Sequence, residues 1–375
     1  MLRARRASRV CLLAAFAILF AIVPVAAQIP STETWRVLDS ARSAFEKGEL
    51  GESLALAEKA RNGHRAAVDR MRETLSEALT PAEVRRAGED ITTVREILLR
   101  RNEAAAIEIL DEVRANPMAA ANVRTISDVL GWLENRAVLP EADMLSGYVY
   151  EAEGEYSVAS GHFKLAWERR NFLDVPDERF TILYSLADIA QKTDDLGAKE
   201  RYLLAILAED PVYGKPGAES PSLRAMIRTL ESEPTTDKFF TLYRHRAFFA
   251  LQAYQKLSDF YYLDSRGRLD SALPVAVLAT IISVTALDEA VSRFEFSHKF
   301  TTFTDLLDRS AAHPEIVEWA RRTAVWDSFL SLARILEARG NVSLAATIRN
   351  DIALHCPDAG SAQRAAGESR SARGR

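Results

Sequence analysis

The sequence predicts an all-α protein made of antiparallel helical hairpins. Ala, Leu, Glu and Arg, which favour helices, dominate a chain of 375 residues that contains only 16 Gly and 13 Pro. Long stretches of alternating polar and apolar residues, which are typical of exposed strands, are absent. Hydrophobic residues form 48% of the chain, so it can bury a sizeable core and is not globally disordered.

The first 27 residues have the order of a secretory signal peptide. Four arginines precede an uninterrupted apolar run at 10–23, and Val25 and Ala27 then stand where a signal peptidase reads small side chains. We expect cleavage before Gln28. The alternative is an uncleaved anchor, but the run is short for a span of about 20 residues. The expected compartment is a bacterial periplasm or the extracellular medium.

Cleavage would change both the charge and the cysteine count. The whole chain has 48 basic and 53 acidic residues, and loss of the four arginines leaves 44 basic residues and a net charge of −9. A mildly acidic protein is a poor candidate for nonspecific nucleic-acid binding. Cys356 would be the one remaining cysteine, which excludes an intramolecular disulfide.

Proline recurs at the predicted starts of helices. Thr80-Pro81-Ala82-Glu83 combines a capping hydroxyl, a proline whose φ is already fixed, and a glutamate that can reach back to the cap. Pro140, Pro176, Pro221 and Pro314 repeat this theme with a capping residue or an acid beside them. The pattern predicts helices of about 12 to 25 residues joined by short turns.

Residues 141–171 combine small and aromatic side chains at the spacing of a helical hairpin. Gly147 and Ala159 are small where two helices would cross closely, and Gly154 suits the turn. The segment resembles a tetratricopeptide repeat (TPR), the helix-turn-helix unit of roughly 34 residues. The residues assigned to its packing are Gly147, Tyr150, Gly154, Tyr156, Ala159, Phe163 and Ala166.

Further copies of the pattern are predicted elsewhere. One runs from Leu183 to Pro211 with an extra residue near Asp194-Asp195, another occupies 326–357 with Gly340 in its turn, and weaker echoes lie at 41–60 and 105–117. The resemblance implies hairpins stacked as a partly irregular, TPR-like α-solenoid. An ordinary helical bundle is the alternative.

We therefore divide the chain into five regions. They are a signal peptide (1–27), an N-terminal helical region with degenerate repeats (28–138), a TPR-like pair (139–215), a C-terminal helical region ending in a TPR-like hairpin (216–360) and a disordered tail (361–375).

Two segments do not follow the repeat pattern. Residues 239–262 include nine aromatics in 24 positions, which indicates a core helix or, alternatively, an aromatic-lined pocket. Residues 272–287 are apolar apart from Thr280, Ser283 and Thr285. This run is short for a membrane span, so we expect a buried central helix.

Motifs that carry chemistry are missing from the sequence. The six histidines are isolated, and no HExxH, GxxxxGK[ST], GxGxxG or GxSxG pattern occurs. Cys356 is expected to be a packing residue or an exposed thiol near the tail. We expect no catalytic residues, no cofactor and no metal.

The resemblance to TPR proteins implies a binding groove lined by the first helix of each repeat. Each predicted face carries a tyrosine and an acid, a mixture that suits an extended peptide or a helix. The alternative is a solvated helix face. The predicted groove residues are Glu141, Met144, Tyr148 and Glu151 in the first repeat, and Tyr184, Asp188, Gln191 and Lys192 in the second.

Together these observations predict an exported TPR-like scaffold that binds a protein or peptide partner in the cell envelope and performs no chemistry. We expect no nucleic-acid partner, and no transmembrane segment once the signal peptide is removed. The alternative is a periplasmic solute- or lipid-binding protein associated with a transport system, motivated by the segments 239–262 and 272–287.

Overall fold

A computed structural model describes residues 31–373, apart from 81, 84, 86–89, 117, 118, 120, 216, 217 and 265–267. The predicted signal peptide lies outside the described residues. The regular secondary structure of the described part is helical except for a two-residue antiparallel ladder, β1 (Gly214–Lys215) with β2 (Ala218–Glu219), which confirms the all-α class. The chain forms two compact units, Met1–Ile182 and Leu183–Arg375.

The helices of the first unit account for most of its described residues. They are α1 (Thr32–Lys47), α2 (Leu50–Ala78), α3 (Ile91–Arg101), α4 (Ala104–Ala115), α5 (Ile126–Arg136), α6 (Pro140–Glu153) and α7 (Tyr156–Glu168), followed by a 3-10 turn at Arg170–Phe172. The next helix, α8 (Glu178–Lys192), contains the boundary between the units.

The second unit continues from α8. Its further helices are α9 (Leu196–Leu207), α10 (Pro221–Ser232), α11 (Asp237–Leu242), α12 (Leu251–Asp259), α13 (Leu269–Phe294), α14 (Phe303–Ala311), α15 (Pro314–Arg322), α16 (Val325–Ala338), α17 (Val342–His355) and α18 (Ala359–Arg373).

Several predicted helix starts are confirmed. Pro140, Pro221 and Pro314 are the first residues of α6, α10 and α15. The start predicted at Pro176 is wrong, because Pro176 lies in a turn and α8 begins at Glu178. The Thr80 amide donates to Glu83 Oε2 at 2.8 Å, and the Glu83 amide donates back to Thr80 Oγ1 at 3.3 Å. These reciprocal bonds form the predicted capping box, although Pro81 lies outside the described residues.

Helix α2 holds the first unit together because it belongs to two apolar clusters. At one end, Leu38 of α1 and Ala57 of α2 pack with residues of α6. At the other end, Leu75 of α2 packs with Leu98 and Leu110 of the α3–α4 hairpin. The 29-residue length of α2 lets a single helix reach both clusters.

Five helical hairpins in the described part of the chain share one turn. In each, the first or second residue after the first helix has a left-handed backbone, with φ between 59° and 91°. The next residue has φ between −80° and −86°, and its amide donates to the carbonyl five positions back, as in Schellman turns. The paired turn residues are Gly48-Glu49, Asn102-Glu103, Gly154-Glu155, Asp194-Asp195 and Gly340-Asn341.

The hairpin of α6 and α7 packs as predicted. A Cβ atom on Gly147 would lie 2.9 Å from the ring of Phe163, so only glycine allows this close crossing. Phe163, Ala159 and Ala166 are fully buried. Tyr150 stacks on His162 with ring centroids 5.4 Å apart, while Tyr156 is half-buried.

The core of the second unit is built around α13. Residues 272–287 of this helix are buried, as predicted. By length and composition α13 is also long and apolar enough to cross a membrane, and 83% of its most apolar window is buried. Its polar side chains are satisfied: Thr280 donates to a carbonyl one turn back, Ser283 lies 3.0 Å from Ser328 Oγ, and Thr285 accepts from a backbone amide.

Residues 239–262 do not form the single helix that was predicted. The chain forms α11, a 3-10 turn at Phe248–Ala250, α12 and a π-helical turn at Phe260–Asp264. Residues between α11 and α12 bond to α13 instead of continuing a helix: the backbone amide of His245 donates to Thr285 Oγ1, and the Arg246 side chain pairs with Glu289 at 2.6 Å.

The interpretation of this segment as core is nevertheless confirmed for most of its aromatic side chains. Phe239, Phe240, Tyr254, Phe260 and Tyr261 are buried.

The predicted disordered tail is also wrong, because residues 359–373 form α18. Ala365 is fully buried, and Glu368 pairs with Arg334 and with Arg349, whose side chain is only 3% exposed. The tail lacks large apolar residues, so its composition is typical of a disordered segment. Alanine packing and ion pairs to α16 and α17 hold the helix in place.

We predict opposite effects for two glycine-to-alanine substitutions in the α6–α7 hairpin. Gly154→Ala should lower the free energy of unfolding by about 1–2 kcal/mol, because φ is +86° there. Gly161→Ala should raise it by about 0.5–1 kcal/mol, because Gly161 is exposed inside α7 with nothing within 4 Å of the new Cβ. Urea unfolding measures both, and equal effects would contradict the assigned turn.

Candidate partner-binding surfaces

The predicted groove face of α6 is largely covered within the first unit. Glu141 and Met144 are only 4% and 5% exposed, since α6 packs against α1 and α2. The ring of Tyr148 contacts Phe163 edge-on, with centroids 5.1 Å apart. Glu151 is half-exposed. Glu141 and Met144 are therefore not surface residues, contrary to the prediction.

The predicted face of α8 is partly used by contacts within the second unit. The hydroxyl of Tyr184 donates to the carbonyl of Phe249 at 2.7 Å and accepts from the Ala253 amide at 3.1 Å. Asp188 forms an ion pair with Lys256 of α12. These bonds hold α8 against the segment that carries α12.

Gln191 and Lys192, at the end of α8, are exposed. They are the predicted groove residues of the second unit that present most surface to solvent.

A groove that the sequence analysis did not assign lies along the α3–α4 hairpin of the first unit. It has a volume of about 630 Å³. Its residues follow one stripe of α4 at helical spacing and are completed by the end of α3. They are Leu99, Asn102, Ala104, Ile107, Glu108, Asp111, Glu112 and Ala115.

The carboxylates of this groove differ in their surroundings. Arg95 donates to both oxygens of Asp111 at 2.7 and 2.9 Å, which lowers the pKa of Asp111. Within the described residues, Glu108 and Glu112 have no cationic partner. Burial, and then the charge of Glu108, raises the pKa of Glu112 to about 7. The groove therefore combines apolar surface with two uncompensated acids.

The second unit contains a buried cluster around Asp210. His245 Nε2 lies 2.6 Å from Asp210 Oδ2, the Tyr254 hydroxyl donates at 2.5 Å, and the Val212 amide donates at 2.9 Å. Burial alone would raise the pKa of Asp210, but the bonds from His245 and Tyr254 hold it below its usual value. With three donors on one carboxylate, the cluster ties the loop after α9 to α12.

Cys356, directly after α17, is a half-buried free cysteine. Burial raises the pKa of Cys356 to about 12, so this residue is a neutral thiol at physiological pH. Among the residues that the structure describes, no three His, Cys, Asp or Glu side chains are grouped to hold a metal ion.

Similarity to known proteins extends over nearly the whole chain. No protein-family model matches the sequence. A protein of Treponema pallidum (strain Nichols), described as uncharacterized, is 35% identical over 339 residues, which is 90% of each chain. The chain belongs to the family of this protein. Because the similarity covers 90% of each of the two sequences, it is not confined to one hairpin or one unit.

We predict that Glu141 destabilises the fold above neutral pH. Burial, and then the nearby acids Glu178 and Asp174, raise its pKa to about 7, although the Asp174 amide donates to Oε1 at 2.8 Å. The unfolded chain releases this proton near pH 4.5 and the folded chain near pH 7, so stability falls between these values and the penalty is complete above pH 7.

Glu141→Gln should therefore raise the free energy of unfolding by about 1–3 kcal/mol at pH 8 and change it little at pH 4.5. Glutamine keeps the acceptor for the Asp174 amide. Glu153→Gln, at an exposed position of the same helix, is the matched control and should have no effect at either pH. Urea unfolding at both pH values is the measurement, and a pH-independent effect of Glu141→Gln would contradict the assignment.

Proposed function

We propose that this protein is an exported, TPR-like helical scaffold that binds a protein or peptide partner in the cell envelope. The observation that carries the proposal is the single turn geometry shared by five hairpins in the described residues. Hairpins that repeat in this way stack as α-solenoids in repeat proteins, which use extended helix faces to bind partners. We propose the same stacking for the hairpins of this protein.

The surfaces of the hairpins support binding more than chemistry. In the first unit, the exposed stripe of α4 lines an open groove with apolar and acidic side chains. In the second unit, the end of α8 presents Gln191 and Lys192 to solvent. The titratable cluster at Asp210 is bonded internally by His245 and Tyr254.

A small-ligand function has less support. The segment 239–262, which suggested a solute or lipid pocket, places Phe239, Phe240 and Tyr254 in the core. The apolar run 272–287 is part of α13 and is likewise buried in the core. We therefore favour a macromolecular partner.

Export predicts a defined mature terminus. We expect the protein isolated from the envelope or the medium to begin at Gln28, because Val25 and Ala27 provide the small side chains that a signal peptidase requires. N-terminal sequencing and intact mass measure the cleavage site. Ala27→Phe should block processing, while Gln28→Ala should not. Recovery of an unprocessed wild-type chain from the cytoplasm would contradict export.

Partner binding predicts discrete cross-links in living cells. A photo-reactive residue placed singly at the exposed positions Ala104, Ala115, Gln191 and Ala346 should give at least one adduct of defined mass with a protein that mass spectrometry identifies. The purified partner should then bind the purified protein. If none of these positions, nor others on the exposed helix faces, yields an adduct, the scaffold proposal fails.

A further inference from the structure

Helix α4 has two faces with different roles. Its buried face packs Ala106, Ile109, Leu110 and Val113 into the core of the first unit. Its other face, from Ala104 to Ala115, lines the groove over three helical turns, about 17 Å. The groove is therefore long enough for a three-turn helix to lie along it.

The apolar part of the groove is open to water. Leu99 at the end of α3 is 50% exposed, and Ile107 of α4 is half-buried beside it. Ala104 and Ala115 are small, which leaves room for an incoming side chain at each end. An aliphatic residue of a partner would cover this surface from solvent.

Two of the three acids in the groove, Glu108 and Glu112, have no ion-pair partner among the described residues. Glu108 and Glu112 lie one helical turn apart, where like charges repel each other. Arg95, the nearby cation from α3, is already engaged by both oxygens of Asp111. The raised pKa of Glu112 is consistent with this repulsion and with its half-buried position.

We propose that the α4 groove binds the basic face of an amphipathic helix from a partner protein, with Lys or Arg side chains one turn apart opposite Glu108 and Glu112 and aliphatic side chains on Leu99 and Ile107. The inference rests on the proposed partner-binding function and specifies its surface and partner chemistry.

Charge and shape select this occupant over others. A nucleic acid would place phosphates beside Glu108 and Glu112 and be repelled. A wholly apolar segment would bury both carboxylates without a partner, which is unfavourable. A helix with basic residues at i and i+4 matches the one-turn spacing of the two acids and covers the apolar ends as well.

A synthetic probe tests the inference directly. The probe is a fluorescent 16-residue amphipathic peptide with Arg and Leu each at i, i+4 spacing, and its control has the same composition in scrambled order. Fluorescence anisotropy with the purified protein should show at least tenfold tighter binding of the amphipathic peptide. Equal binding of the scrambled peptide would overturn the proposal.

Variants locate the site. Glu108→Gln with Glu112→Gln should weaken binding of the probe at least tenfold, and Leu99→Ser should weaken it several-fold. Glu73→Gln with Glu77→Gln is the matched control, because these exposed acids are also one turn apart, on α2 of the same unit, and it should leave binding unchanged. Circular dichroism checks that every variant is folded. An equal loss in the α2 pair would overturn the assignment to the groove.

The cross-linking positions separate this inference from the proposed function. An adduct from Ala104 or Ala115 that disappears in the Glu108→Gln, Glu112→Gln variant supports the groove. Adducts confined to Gln191 or Ala346 would overturn the groove and leave the scaffold function standing.

Discussion

Each shared hairpin depends on one residue with a left-handed backbone. That residue reverses the chain, and the amide after it closes the turn on a carbonyl five positions back. Glycine occupies the position in three turns, and Asn102 and Asp194, whose residue types tolerate this conformation best after glycine, occupy it in the other two. Because the closure uses backbone atoms, the flanking side chains are free to differ. The same hairpin therefore recurs although only 141–171 resembles a repeat closely in sequence.

The features of the fold that depend on neighbouring residues in the sequence could be predicted. Three proline helix starts, at Pro140, Pro221 and Pro314, the glycine turns and the buried run 272–287 are each determined by residues close together in the chain, and these are found. The failures depend on distant partners. Helix α18 needs Arg349 and Arg334 to pair with Glu368, and the segment 239–262 is interrupted where it bonds to α13.

The binding surfaces were harder to predict for the same reason. A periodic stripe of polar residues has the same pattern whether it faces water, a core or a partner. Glu141 looked like a surface acid, but α1 and α2 cover its helix. The stripe of α4 was not assigned a role from the sequence. Among the described residues Glu108 and Glu112 have no ion-pair partner, because Arg95 bonds to Asp111 instead. The spacing of these acids is visible in the sequence, while the absence of a cationic partner in the described part of the chain is not.

The burial of α13 means that the unfolded and the folded chain expose very different surfaces. Its sixteen-residue apolar run is hidden only while the surrounding helices of the second unit are packed on it. An unfolded or truncated chain exposes a segment whose length and composition favour partition into a lipid bilayer. Loss of tertiary structure would therefore expose a helix that can adsorb to a lipid surface, so the packing of the second unit keeps this segment from lipid as well as from water.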